Sequence, residues 1–216
     1  MNKYLREPIN GLTHFIGALL SILGLIALII KTSNLYNSSS ITYFSVVAFG
    51  IGMILLYSAS ATYHSIFANN RVIRALKKLD HSMIFVLIMC SYAPFCLIAL
   101  NNTTGYILFA AVATFCTLGI IFKLCWISCP KWLSSAMYIF VGWFAIFAIY
   151  PLSKVLSTTG LTLLLAGGVL YTIGGIIYAL KPDRIKLGAW GNHEIFHIFI
   201  MLGTLCHFFA VYSCIL

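Results

Sequence analysis

Charge is what this chain lacks most: 8% of its 216 residues are charged, and only four are acidic. Soluble domains carry roughly 25% charged residues, so this surface cannot meet water on all sides. Long polar stretches are scarce too. Seven spans of about 20 residues would use roughly 140 positions and leave only short loops, with no room for a separate soluble domain. A removable signal peptide is not expected. The N-terminus, Met1-Asn2-Lys3-Tyr4-Leu5-Arg6-Glu7-Pro8, is polar, and no small-residue cleavage site follows at the right distance. Nor is there a soluble basic face, so no nucleic-acid partner is expected despite a net charge of +9. The seven cysteines fall mostly inside apolar runs, where they act as small buried hydrophobes and not as a disulfide framework. Cys125 and Cys129, four apart beside a loop, are the pair best placed to share a metal.

What is present is apolar sequence, 62% of the chain. The runs fall near residues 11–30, 41–67, 82–100, 104–122, 132–150, 160–180 and 194–214. Each can cross a hydrocarbon core of about 30 Å as a helix. The expectation is an all-α integral membrane protein, one domain over residues 1–216 with seven transmembrane helices. Asn101 to Thr104 reads as a tight turn, and Pro94 as a kink in the third span. Residues Arg71 to Lys78 alternate basic with apolar, which suits a short segment in the interface. Gly167-Gly168 and Gly174-Gly175 recur seven residues apart, a face for close helix packing.

Lysine and arginine sort by side. One side collects Lys3, Arg6, Arg71, Arg74, Lys77, Lys78, Lys123, Lys131, Lys181, Arg184 and Lys186; the other has Lys31 and Lys154. That bias predicts a cytoplasmic N-terminus and an outside C-terminus, which requires an odd number of spans. The basic rim should attract anionic headgroups, making membrane lipids the expected partners.

Ionisable groups at membrane depth are costly, so each one is a functional candidate. His14, His64, His81, His193 and His197 all fall near the predicted cytoplasmic ends of spans, together with Asp80 and Glu194; His207 lies deeper. His193 and His197, spaced i, i+4, share a helix face that can hold a metal, and His64 offers a third nitrogen. Three histidines and a water form the usual open, catalytic zinc arrangement. Asp80 is placed to hold and deprotonate such a water, and Ser60 stands one turn before His64 on the same face. His14, His81 and His207 read as interfacial or backbone-bonded residues, with His14 and His81 also suited to orienting ligands.

Asn10-Gly11-Leu12-Thr13-His14, the Ser60 and His64 pair, Leu79-Asp80-His81 and His193-Glu194-Ile195-Phe196-His197 together resemble the hemolysin III family. That family belongs to the wider group of progestin and adipoQ receptors, related to alkaline ceramidases. The resemblance covers essentially the whole chain. It implies zinc held by His64, His193 and His197, with Ser60 and Asp80 near the bound water and a lipid-accessible cavity between the helices. The expected chemistry is hydrolysis of a lipid amide or ester, with Asp80 as base and then acid and Ser60 donating to the oxyanion. The expected setting is the bacterial cytoplasmic membrane, with a role in membrane homeostasis. The alternatives are a non-enzymatic sensor of the membrane, a pore-forming cytolysin, and a protease using the H-E-x-x-H run from His193 to His197. Against the protease, no further ligand follows within a few residues of His197, and the resembled receptors can carry Gln at the position of Glu194.

Overall fold

The computed structural model describes residues 5–36, 38–180 and 190–216. Seven helices in it are long and apolar enough to cross a membrane: α1 (Pro8–Ser33), α2 (Ser40–Ser65), α3 (Asn70–Leu100), α4 (Thr103–Cys125), α5 (Lys131–Val155), α6 (Thr158–Leu180) and α7 (Asn192–Cys214). The described residues contain no β-strand. The starts follow local chemistry. Pro8 occupies the first turn of α1, where its missing N–H costs nothing. Ser39, Asn69 and Asn102 cap α2, α3 and α4 by accepting from the amides of Thr42, Val72 and Gly105.

α2 is the central helix. Of its most apolar stretch 61% is buried, against 28% for α1, α4, α5 and α6, so the outer helices turn most of their apolar surface outward. Leu19, Leu23, Leu118 and Phe147 are among the large side chains left exposed there. A soluble protein does not leave such a belt uncovered; lipid covers it here. Phe49, Val46, Met53 and Phe85 fill the centre.

Two spans depart from regular α-helix. α3 widens into a π-helical stretch over Pro94–Leu100, which is how the expected proline kink is realised. It ends at Asn101, which adopts the left-handed conformation (φ 42°), so the expected turn is two residues long before α4 begins. α5 is interrupted by a 3₁₀ segment over Trp143–Ala148. Tyr92 supports the break: its hydroxyl donates to the Gly142 carbonyl (2.7 Å) and accepts from the Ala145 amide (2.8 Å). Residues Arg71 to Lys78 are not a separate interfacial segment; they form the first turns of α3.

The glycine pairs do pack closely, but each pair serves two neighbours. A Cβ on Gly174 would lie 2.8 Å from Phe199 of α7, while one on Gly175 would lie 3.1 Å from Ile139 of α5. Among the basic residues counted above, Lys3, Lys181, Arg184 and Lys186 lie outside the described residues.

Candidate metal centre

The last turn of α2 and the first turns of α7 meet at one end of the bundle, bringing together His64, His193 and His197. Their ligand atoms lie within 4.8 Å of one another. The three rings stand edge to face, with centroids 4.9 Å (His64 to His193), 5.1 Å (His64 to His197) and 4.7 Å (His193 to His197) apart. His64 is 0% and His197 1% exposed, so these nitrogens cannot rely on bulk water.

Hydrogen bonds on the far side of two rings set their tautomers. His64 Nδ1 donates to Glu7 Oε2 at 2.7 Å, which leaves His64 Nε2 buried without a partner. Thr13 spends its only proton on the Asn10 carbonyl (3.0 Å), so its oxygen is the acceptor towards His197 Nδ1 at 3.4 Å. In the neutral form of each ring that leaves Nε2 as the lone-pair nitrogen. A carboxylate behind a histidine and a free nitrogen in front of it is the usual outer support of a metal ligand, so these residues fit a zinc-like ion. The bond from His64, above all, holds the Glu7 carboxyl down to about 2, with Asn10 and Arg6 adding to it and burial opposing.

Asn10 extends this support. Its amide nitrogen donates to Glu7 (3.1 Å) and to Glu194 (2.9 Å), joining the start of α1 to the start of α7. Glu194 also accepts from the Gly191 amide at 3.0 Å, closing the cap of α7. A carboxylate committed to a cap and to Asn10 is poorly placed to act as the base of an H-E-x-x-H protease.

Asp80 and Ser60 line the same cavity as His193 and His197. Ser60 is buried and its hydroxyl interacts with the Asp80 carboxylate. His81 Nδ1 stands 3.4 Å from Asp80 Oδ2. His14 does not sit at the interface. It is buried, its ring stacks on His197 (centroids 3.6 Å apart, planes at 7°), and neither of its nitrogens has a hydrogen-bond partner among the described residues. His207 is backbone-bonded, to the Leu164 carbonyl at 3.2 Å. Cys125 is exposed and Cys129 buried, and they form no ligand cluster among the described residues.

The cavity under the histidines has a volume of about 110 Å³ and adjoins a second of about 260 Å³ deeper in the bundle. Both are lined by Ser91, Tyr92, Gly142, Trp143, Gly168 and His207, and apolar side chains supply most of the remaining walls. Glu7, Asn10 and Thr13 were given no role from sequence. Pro8 at the helix start, with Glu7, Asn10 and then Thr13 three apart, was the available signal: one polar face on an otherwise apolar helix.

Comparison with known proteins matches the chain over nearly its whole length. A family model described as haemolysin-III related matches residues 2–208. The chain is 40% identical to Hemolysin-3 of Bacillus cereus over 212 residues, covering 98% of this chain and 93% of that protein. It is 38% identical to the Hemolysin-3 homolog of Bacillus subtilis over 205 residues, covering 95% and 92%. A shorter stretch of 80 residues is 36% identical to the ADIPOR-like receptor IZH2 of Saccharomyces cerevisiae, covering 35% of this chain and 24% of the receptor.

Proposed function

Because this chain belongs to the haemolysin-III-related family of multi-pass membrane proteins, we propose that it is a zinc-dependent hydrolase of an amide or ester bond in a membrane lipid. One arrangement supports this most: three clustered imidazoles, two of them buried and hydrogen-bonded at Nδ1 on their outer side, beside a mostly apolar cavity that His193 and His197 line together with Asp80 and Ser60. Zinc, when bound by His64, His193 and His197, supplies Lewis acidity towards a water and a carbonyl. Asp80 accepts a proton from the attacking water and returns it to the leaving amine or alcohol. Ser60 donates to the oxygen on which charge develops. The apolar walls take the lipid chain and exclude bulk water. The setting proposed is the bacterial cytoplasmic membrane with the histidine end towards the cytoplasm, supported by the charge bias and the Bacillus relatives.

Glu7, Asn10 and Glu194 favour a second reading, because they make the same centre a clasp between α1, α2 and α7. A metal there could serve a membrane sensor without chemistry. Metal content by mass spectrometry, wild type against His193→Ala/His197→Ala, comes first; one zinc per chain, lost in the variant, is expected. Product release from ceramide-like and acyl-lipid substrates is then compared with Asp80→Asn. Stoichiometric zinc without product from any lipid leaves the sensor. Dye release from liposomes by wild type but not by His64→Ala would instead support the activity that the name of the Bacillus cereus relative describes.

A further inference from the structure

Behind the cavity wall a lysine is buried with no carboxylate partner among the described residues. Lys123, in the last turn of α4, is 1% exposed. Its Nζ lies 3.2 Å from Cys129 Sγ and also donates to Ser134 Oγ, in the first turn of α5. Sulfur and hydroxyl are themselves 3.3 Å apart. Burying an ammonium ion away from any anion is expensive. Beside Cys129 that cost is reduced, since amine with thiol and ammonium with thiolate are both neutral overall. The sulfur is also close to the surface: Cys129 is buried, but its neighbours Ser128 and Pro130 are exposed.

We propose that Lys123 and Cys129 form an oxidative modification site, at which hydrogen peroxide joins them through a sulfur–nitrogen bond. The sulfur, as thiolate, attacks the peroxide; the O–O bond breaks, an S–OH bond forms, and the released hydroxide takes the lysine's extra proton to become water. The free amine then attacks sulfur, expelling a second water as the S–N bond forms and the amine gives up a proton. Sulfur loses two electrons and the peroxide gains them. Sulfenic acids are known to condense with nitrogen in this way. The bond ties the end of α4 to the loop entering α5, whose Ser135 and Tyr138 line the cavity. Tyr138 in turn donates to the His81 carbonyl at 3.0 Å.

The purified full-length protein is treated with hydrogen peroxide, alkylated, and mapped with trypsin and mass spectrometry, with and without later reduction by dithiothreitol. Wild type and Cys125→Ser should lose cleavage after Lys123 and yield a peptide two hydrogens lighter, reversed by the thiol. Lys123→Arg keeps the charge and a trypsin site but lacks the nucleophilic amine, so it should show no such loss. Two results overturn the proposal. One is a two-hydrogen loss that persists in Lys123→Arg and vanishes in Cys125→Ser, which identifies a disulfide. The other is Cys129 that stays reduced, or gains only oxygen, while Lys123 remains cleavable in wild type.

Discussion

Replacing Glu7 by Gln should weaken metal binding without unfolding the protein. Glu7 precedes α1 and meets the clustered histidines at His64, by the 2.7 Å bond to Nδ1, while Asn10 and Arg6 hold its carboxylate from the other sides. Gln keeps the length and an oxygen acceptor but removes the charge, and charge-assisted hydrogen bonds are roughly twice as strong as neutral ones. Loss of such an outer partner typically costs 10- to 100-fold in metal affinity. The Glu7 side chain is 37% exposed, so water screens part of its charge and the lower end applies. The expected loss is about tenfold, or about 1.4 kcal/mol. Glu7→Ala, which also frees His64 to change tautomer, should lose more. Competition with a chromophoric chelator at fixed pH measures the affinity, and the thermal midpoint of the metal-free protein controls for folding. The backbone bond from Glu7 N–H to the His64 carbonyl (2.9 Å) survives both changes, so that midpoint should move little. Unchanged affinity in both variants would refute the idea that Glu7 orients His64. A fall in metal-free stability as large as the fall in affinity would make Glu7 a structural tether instead.

Three further outcomes are expected. Asp80→Asn should retain one zinc per chain while lipid hydrolysis drops by at least about 100-fold, the usual contribution of a positioned acid–base group; product assays and metal content read the two halves. Glu194→Gln should keep hydrolysis within a few-fold of wild type, because its work is to cap α7 and hold Asn10, whereas an H-E-x-x-H base would lose nearly all activity. Tyr92→Phe should cost about 1–3 kcal/mol in a denaturation assay, since it leaves the Ala145 amide and the Gly142 carbonyl unpaired inside the bundle.

Seven spans were legible because a membrane leaves so few options: long apolar runs with polar ends have to be helices. The clustering of three histidines was legible for a related reason. His193 and His197 are one turn apart, and His64 stands at the same end of another span, so depth could be read from distance to the nearest polar break. What sequence hid was rotation about each helix axis. His14 and His81 lie at that same depth, yet only the packed bundle shows His14 stacked on His197. Glu7 was hidden because it falls before the apolar run, where a charged residue is unremarkable until a neighbouring helix end is brought beside it. Lys123 was assigned to the basic rim, and its burial against Cys129 depends on how the loop from Trp126 to Pro130 folds back.

The two irregular spans were equally invisible, and they decide the shape of the cavity. Non-α backbone at membrane depth persists only where protein or an internal cavity, and not lipid, surrounds it. The π turn of α3 and the 3₁₀ segment of α5 both border the deeper cavity, through Phe95 and Cys96 on one side and Trp143, Ala145 and Ile146 on the other. Tyr92 stands two residues before Pro94 and supplies the hydroxyl that the α5 break requires. A regular α5 would keep those backbone groups to itself and leave the Tyr92 hydroxyl without its two partners. Proline in one helix and glycine in another thus become a single device, with Tyr92 as the coupling, and the space it borders adjoins the cavity that His193 and His197 line.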